Sequence, residues 1–475
     1  MVFSSLIFLY IFLPLCVLMY FLFPQIKVKN AVLILFSLIF YAWGEPIYIL
    51  LMIFTSFVNY IFGRILGRCE DPTRRKWLLA LCVVIDLSAL VYFKYAGFFV
   101  DIINGIFSIS IPFPKVVMPI GISFFTFQAL SYTVDVYRKD VGIQRSFWRF
   151  LMYVSMFPQL IAGPIVRYSE IETQIEQRHT SMEDAFYGAF RFFVGLGKKV
   201  LLANYAGKAA SLLLDINLAS ATVAGTWFGM LMFALEIYFD FSGYSDMAIG
   251  MGRIFGFRFN ENFNLPYISN SITDFWRRWH ISLSSFFRDY VYIPLGGNRK
   301  HQIFNLFVVW SLTGFWHGAN WNFILWGLYF FVLLVIEKSL RKVLEKIPNA
   351  IKIPVTLFFV LLGWTLFYFT DLNRLVQVLS IMFGFGGVSA YTETVGITMM
   401  NNLLLLAVCV IGCTPLPRLL GKGYMHLCHP EQGSGSQTVK VIGAVLVFLF
   451  NLAVLFMTTA SLAGSSYNPF LYFRF

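Results

Sequence analysis

The chain has 475 residues, of which 58% are hydrophobic and 13% are charged, and its formal net charge is +12. Ordinary globular proteins carry about 25% charged residues, and the repeated apolar runs here have the length that crosses a bilayer core. This composition excludes a water-soluble globular protein and predicts an all-α polytopic membrane protein. No soluble basic domain is left to bind nucleic acid, so we interpret the positive charge as a signal of membrane topology.

The apolar runs predict about 11–13 transmembrane helices, with re-entrant or interfacial helices between them. The predicted spans lie at roughly 2–23, 30–43, 47–63, 77–98, 113–135, 147–166, 184–205, 222–256, 302–317, 321–337, 352–370, 397–415 and 440–462. "WGEP" at 43–46 predicts a turn between two half-length helices, and "AGPIVRY" at 162–168 predicts a helix break. The run from 222 is too long for one straight crossing. Interrupted helices at membrane depth need protein or water around them, which favours a compact bundle around a central tunnel.

Clusters of basic residues predict the orientation in the membrane. The loops at 64–76, 136–149 and 338–352 are rich in Lys and Arg, which is typical of the cytoplasmic side. Residues 1–23 carry no charge and lack the basic start of a cleaved signal peptide, so we expect the first span to be retained. Both termini are then predicted to be extracytoplasmic.

A metal site has one weak candidate in the sequence. "HLCHPE" at 426–431 brings together His426, Cys428 and His429, but their spacing is too tight for the usual structural zinc pattern. We therefore predict no metal and no permanently bound cofactor.

The segment 274–300, "DFWRRWHISLSSFFRDYVYIPLGGNRK", has the pattern of one amphipathic helix at the membrane interface. Its apolar face would hold Trp276, Trp279, Leu283, Phe286, Phe287 and Tyr290, and its polar face Arg277, Arg278, Ser284, Ser285 and Arg288. His280 falls on the apolar face and is predicted to point into the protein. Two interpretations of His280 remain open: a structural histidine bonded to a backbone carbonyl, or a residue of a reaction site. The arginines are either cytoplasmic anchors or partners for donor phosphates.

His317 lies between two apolar runs and is flanked by Trp316 and Gly318. An ionisable residue at membrane depth is a functional hypothesis by default, and the glycines at 314 and 318 allow a close approach of backbone or substrate. Neutral imidazole is a suitable general base near pH 7. The alternative is a turn histidine at the membrane face.

Carboxylates in "EIYFDFSGYSDMAIG", 236–250, could support such a base. Asp240 or Asp246 could orient an imidazole and stabilise its charged form. The alternative is an internal ion pair, for instance of Glu236 with Arg253.

The motifs "WRRWHISLSSFFRDYVYIPLGG" and "FWHGANWNFILWG", with "FPQLIAGPIVRY" and "YFDFSGYSDMAIG", resemble the membrane-bound O-acyltransferase (MBOAT) family. The resemblance is to its bacterial branch, whose members act in the O-acetylation of alginate, cellulose and peptidoglycan. It implies the MBOAT fold, a bacterial cytoplasmic (inner) membrane location, and transfer of an acyl group from a cytoplasmic thioester, expected to be acetyl-CoA, to a polysaccharide.

The resemblance also implies roles for single residues. His317 corresponds to the catalytic histidine, while His280, where other branches carry Asn, would position the donor. The residues expected to bind donor or substrate are Trp276, Arg277, Arg278, Ser282, Arg288, Trp316 and Asn320. A secreted or periplasmic SGNH-type transferase or esterase is the expected partner protein.

The C-terminal "NPFLYFRF", 468–475, resembles the Phe-x-Tyr ending of this branch. We divide the chain into a core, 1–438, and a final helix with an aromatic tail, 439–475. Tyr472 is predicted to enter the outer mouth of the tunnel and to accept the acyl group, with Phe470 and Phe473 packing the wall. The alternative is an ordinary interfacial aromatic belt.

Two other functions were weighed against O-acetylation. D-alanyl transfer to teichoic acid resembles this system across the core. A proton-coupled transporter could use His317 as a relay, but the chain lacks the repeated half that is typical of many transporters.

Overall fold

The computed structural model describes residues 1–114, 116–161, 163–419, 437–464, 468 and 470–471. Within these ranges every regular element is helical, which confirms the all-α prediction. The chain forms two compact units, Met1–Phe192 with Met247–Asn260 and Phe193–Asp246 with Glu261–Phe475. The division predicted at residue 438 is a different one and stays a prediction.

The first unit begins with a π-helical turn at Phe8–Phe12. Its helices are α1 (Leu13–Leu22), α2 (Ile26–Ala42), α3 (Ile49–Arg68), α4 (Pro72–Phe107), α5 (Ile122–Arg138), α6 (Phe147–Ser155), α7 (Phe157–Leu160), α8 (Tyr168–Glu176) and the start of α9 (Met182–Gly197). The predicted turn at 43–46 is confirmed, because α2 ends at Ala42 and α3 begins at Ile49. The prediction of half-length helices around it is wrong for α3, whose 20 residues are enough to cross a bilayer. The predicted break at 162–168 falls between α7 and α8, although residue 162 itself lies outside the described residues.

One arginine of the first basic loop also holds helix ends together. Arg75 is 7% exposed, and its guanidinium donates to the carbonyls of Leu66, Cys69, Val136 and Tyr137. Those carbonyls lie in or next to the last turns of α3 and α5, where backbone acceptors lack intrahelical donors. The basic loop at 64–76 therefore stabilises the fold as well as marking topology.

The second unit continues α9 through a π-helical turn, Lys198–Ala203, into α10 (Asn204–Leu214). Its other helices are α11 (Val223–Ile254, which runs on into the first unit), α12 (Ile272–Arg278), α13 (Ile281–Phe287), α14 (Gln302–His317), α15 (Trp321–Ser339), α16 (Arg341–Leu344), α17 (Asn349–Tyr368), α18 (Leu372–Met382), α19 (Glu393–Asn401), α20 (Leu403–Gly412) and α21 (Gln437–Ala463). Short 3-10 turns lie at Leu218–Ser220 and Pro266–Ile268, and a π-helical turn at Arg288–Tyr292. Helix α21 confirms the predicted final span.

Five helices of the described chain are long and apolar enough to cross a bilayer, or six if the bent pair α19 and α20 forms one span. The five are α3, α4, α15, α17 and the 441–463 part of α21. This confirms a multi-pass membrane protein. The number by this length criterion is below the predicted 11–13, because several apolar runs fold into shorter helices, such as the 16-residue α14.

Candidate active site

The predicted amphipathic helix at 274–300 is interrupted at its histidine, which corrects the prediction of one continuous helix. Helix α12 ends at Arg278, and His280 adopts a left-handed conformation (φ 45°, ψ 55°) before α13 begins. The irregular segment 262–264 makes backbone hydrogen bonds on both sides of this break. The Ile281 N–H donates to the Asn262 carbonyl and the Asn264 N–H to the Arg278 carbonyl, both at 2.9 Å. No glycine or proline marks the break in the sequence, so only these contacts with 262–264 explain it.

The His280 ring has a defined hydrogen-bonding state. Its Nδ1 lies 3.1 Å from Asn262 Oδ1, which also accepts from the Ser282 N–H at 3.2 Å and hydroxyl at 2.9 Å. Because a backbone N–H can only donate, this Asn262 atom is the amide oxygen, and Nδ1 of His280 must carry its proton. The second ring nitrogen, Nε2, has no hydrogen-bond partner among the described residues.

His280 is 2% exposed and is not part of a spanning helix. Burial lowers its pKa to about 3, since the charged imidazolium is disfavoured away from water. Its Nε2 is therefore a neutral acceptor in a residue that lines the large cavity described next.

A cavity of about 1030 Å³ lies among α12–α17 and the π-helical turn after α13, and is here called the donor cavity after the role proposed for it below. Its inner wall includes His280, His317, Trp276 and Trp310. Trp276 packs edge-on against Trp310 and Phe330, with ring centroids 4.9 and 4.8 Å apart. A rigid aromatic wall with a few polar groups is the usual make-up of a small-molecule site.

The outer part of the donor cavity is rich in positive charge. It is lined by Arg277, Arg288, Lys338, Arg341 and Lys352, against the carboxylates of Glu337 and Glu345. Several of these cations are exposed and paired: Arg288 with Asp289 at 2.6 Å, and Arg341 with Glu345 at 2.8 Å. The last three cations belong to the predicted cytoplasmic loop 338–352 or its edge, and sequence reasoning assigned them to topology alone.

Arg278 does not join the other predicted donor-binding arginines. Its Nε donates to Asp274 Oδ1 at 2.9 Å and its Nη1 to the Asn264 carbonyl at 3.4 Å. These contacts hold Arg278 against α12 and the 262–264 segment, and donor binding by Arg278 stays a prediction. The N–H and hydroxyl of Ser282 both donate to Asn262 Oδ1.

His317 is the last residue of α14, and Gly318 (φ −177°) ends the helix in an extended conformation. The imidazole lies edge-on to the rings of Trp326 and Phe367, at centroid distances of 4.8 and 5.1 Å. Trp316 contacts both histidine rings, at 5.5 Å from His280 and 4.7 Å from His317. The Trp316 ring thus packs against both imidazoles.

A second, small cavity of about 30 Å³ is also lined by His317. Its lining residues are Ile237, Asp240, Phe241, Trp279, His317, Trp326, Trp364, Phe367, Phe470 and Leu471. His317 and Trp279 line both cavities. The histidine therefore lies where the donor cavity meets a narrow space that reaches the C-terminal tail.

The predicted supporting carboxylates are both bound to lysines. Asp240 Oδ1 lies 2.6 Å from Lys199 Nζ, and Asp240 Oδ2 accepts from the Leu471 N–H at 2.9 Å. Asp246 Oδ2 lies 2.6 Å from Lys198 Nζ. The ion-pair alternative thus describes both residues, with lysines in place of the suggested arginine; Arg253 instead pairs with Asp184 at 2.9 Å.

The remaining site predictions have mixed outcomes. Asn320 is the N-cap residue of α15, and its side chain makes no capping hydrogen bond. Tyr472 and Phe473 lie outside the described residues, as do His426, Cys428 and His429. Within the described ranges no group of three His, Cys, Asp or Glu side chains could hold a metal.

Sequence reasoning missed Asn262 and Lys199. Asn262 lies in the polar run "NENFN", and Lys199 in "GLGKKVLL", a lysine pair inside an apolar segment. The lysine pair was a usable signal, since a cation in such a segment needs a partner. Nothing local distinguishes Asn262 from its neighbouring asparagines.

Both histidines lie in the part of the chain that matches a known protein family. A family model described as MBOAT, membrane-bound O-acyltransferase family, matches residues 144–376, which include both histidines. The chain is 39% identical over 507 aligned residues to the probable alginate O-acetylase AlgI of Azotobacter vinelandii, with 100% of both chains covered. It is 31% identical over 523 residues to the peptidoglycan O-acetyltransferase of Helicobacter pylori, covering 100% of this chain and 98% of that protein. The similarity to the teichoic acid D-alanyltransferase of Bacillus subtilis, 31% over 272 residues, covers 52% of this chain and 68% of that protein.

Proposed function

The chain belongs to the membrane-bound O-acyltransferase family, and from this premise we propose that it carries an acetyl group from a cytoplasmic thioester to the outer side of a bacterial inner membrane. The acceptor at the end of the reaction sequence is a polysaccharide of the cell surface. Relatives that span the whole chain are named for alginate and for peptidoglycan, and we propose a polymer of one of these two classes.

The donor cavity supports acetyl-CoA as the thioester. Its exposed cations suit the phosphates of a nucleotide, and Lys338, Arg341 and Lys352 come from a loop whose charge predicts the cytoplasmic side. The aromatic inner wall suits the acyl end of the donor. His280 Nε2, which has no partner among the residues that the structure describes, can accept a hydrogen bond from an amide N–H of the pantetheine arm.

His317 is proposed as the general base. The acceptor hydroxyl oxygen attacks the thioester carbonyl carbon while its proton passes to the imidazole. The carbon–sulfur bond then breaks, and the CoA thiolate leaves with a proton from the imidazolium. The observation that carries this proposal is the position of His317 between the two cavities, where a donor and an acceptor from opposite sides would meet.

The small cavity supports a protein side chain, not a sugar, as the first acceptor. A volume of about 30 Å³ holds roughly two water molecules, and Phe470 and Leu471 close it. Tyr472 is the next residue in the chain, and its phenol would receive the acetyl group through His317. An aryl ester stays activated because phenolate is a good leaving group, so a secreted SGNH-type partner could pass the acetyl group on to the polymer.

Among the alternatives, D-alanyl transfer is less well supported, since the teichoic acid relatives match only about half of this chain. Membership of an acyltransferase family argues against the alternative of a proton-coupled transporter.

The test is acetylation of the purified, full-length protein by acetyl-CoA. His317→Ala should lower the rate of CoA release and of acetyl incorporation by about 100-fold or more, as expected for loss of a general base. The matched control is His179→Ala, which removes an exposed histidine and should leave both rates near those of the wild type. A folded His317→Ala variant whose rate falls by less than about tenfold would overturn the assignment of His317 as the general base.

A further inference from the structure

The last described residues of the chain are docked inside the second unit. Phe470 and Leu471 are each 4% exposed, and both line the small cavity with His317. An aromatic belt at a membrane surface would leave such side chains in contact with lipid or water. Residues 470–471 are instead part of the protein interior.

Three contacts fix this segment, one to α10 and two to α11. The side-chain oxygen of Asn468 accepts from Asn204 Nδ2 at 3.2 Å. The Phe470 ring lies 4.7 Å from that of Tyr244. The backbone N–H of Leu471 donates to Asp240 Oδ2 at 2.9 Å.

The contact with Asp240 differs from the other two because it uses a buried charge. The side chains of Lys199 and Asp240 are 4% and 2% exposed, with 2.6 Å between Nζ and Oδ1. The Lys199 ammonium pairs with one oxygen of the Asp240 carboxylate, and the Leu471 N–H donates to the other. A hydrogen bond to an ionised group is roughly twice as strong as one between neutral groups. The lysine comes from a π-helical turn, a feature that is frequent at functional sites.

A purely structural ion pair would not explain this arrangement. Asp246 and Lys198, the neighbouring residues with the same chemistry, form a pair at the same distance of 2.6 Å, with side chains that are 13% and 25% exposed. Asp240, by contrast, accepts from a backbone 231 positions away in sequence and lines the cavity beside the catalytic candidate.

We propose that the Lys199–Asp240 pair is a latch that holds the C-terminal segment beside His317. Asp240 and Lys199 are positioning residues: they hold the segment that leads into Tyr472 at the place where the acetyl group would be transferred. The use of the latch in acetyl transfer rests on the proposed function, whereas the docking of the tail is measurable without any reaction.

The test labels the tail itself. Leu471→Cys is introduced into the full-length protein, and the rate of its reaction with a membrane-impermeant maleimide is followed by peptide mass spectrometry, which separates position 471 from the native cysteines. Asp240→Asn should accelerate labelling by roughly tenfold or more, the effect of losing a hydrogen bond to a charged group. Asp246→Asn, the matched control, removes the neighbouring ion pair and should leave the labelling rate unchanged.

A second variant guards against misfolding caused by an unpaired buried lysine. Asp240→Asn combined with Lys199→Gln removes both charges, and this double variant should also expose position 471. Equal labelling of the wild-type, Asp240→Asn and double-variant backgrounds would overturn the latch.

Kinetics then separate the latch from the proposed function. With Leu471 unchanged, Asp240→Asn should lower the maximal rate of acetyl transfer while the KM for acetyl-CoA stays the same, since the donor cavity is intact. Faster labelling with an unchanged rate of transfer would support the latch and contradict Tyr472 as the acceptor.

Discussion

The two histidines of the site differ in what holds them. His280 is fixed by Asn262 in one tautomer, with a neutral acceptor nitrogen left over. His317 lies among aromatic rings at the end of a helix and lines both cavities. One imidazole is therefore suited to positioning a donor and the other to moving a proton.

This contrast predicts different tolerance to substitution at His280. Asn is among the residues most often found in the left-handed conformation, and its amide can both donate to Asn262 and offer an acceptor. His280→Asn should therefore keep acetylation within about tenfold of the wild type, whereas His280→Ala should lose more, because alanine offers the donor no hydrogen-bond acceptor. Initial rates with acetyl-CoA measure the difference.

His280→Gly provides the control for backbone strain. Glycine adopts the φ of 45° without cost but has no side chain. If the Gly and Asn variants were equally active, only the backbone at 280 would matter, and the positioning role would be wrong.

At the scale of helices, α14 and α15 place His317 by packing backbone on backbone. A Cβ added at Gly314 would lie 2.5 Å from the Phe323 carbonyl oxygen, and one at Gly327 would lie 2.4 Å from that of Trp310. The interpretation of Gly314 as a site of close backbone approach is confirmed. Small residues allow such contacts between membrane helices.

The helix pair predicts that Gly327→Ala will be costly. A methyl group there forces α14 away from α15, so we expect a loss of about 1–3 kcal/mol of stability and a displaced His317. Thermal unfolding in detergent should show a lower midpoint, together with slower acetyl transfer.

Gly105→Ala in α4 is the matched control, since a Cβ at Gly105 meets no atom within 4 Å. Alanine is the better helix former by about 1 kcal/mol, so this variant should unfold no earlier than the wild type. Equal midpoints for the Gly105 and Gly327 variants would contradict close packing of α14 against α15.

At the scale of the whole molecule, the proposed reaction crosses the membrane without moving the donor. The cations of one predicted cytoplasmic loop line the donor cavity, and the tail that follows the last span closes the small cavity. The acyl group alone would pass from one side to the other, past His317.

Tyr472→Phe tests this transfer in the cell. The change keeps the aromatic ring and removes only the hydroxyl that would attack the thioester. We expect normal membrane insertion and loss of polysaccharide acetylation, measured as ester-linked acetate released from the purified polymer. Phe473→Tyr added to this variant is the control for position, because a phenol one residue further along should not restore activity. Normal acetylation by Tyr472→Phe would leave the aromatic-belt interpretation in place.

The sequence alone determined the class of the protein and most helix positions, and it singled out both histidines as candidates. Hydropathy and helical periodicity are local properties, so the turn at 43–46, the break after α7 and the final span could all be predicted. The family motifs, likewise, are short continuous runs around His280 and His317.

Only the tertiary structure decided which partner each polar side chain takes. Asn262 lies 18 residues before His280, and Leu471 lies 231 residues after Asp240. No local pattern encodes such pairings, because they depend on which buried donor and acceptor the packing brings within hydrogen-bonding distance. For the same reason the sequence could not show that α12 stops before His280, that Arg278 turns to Asp274, or that lysines bind both carboxylates.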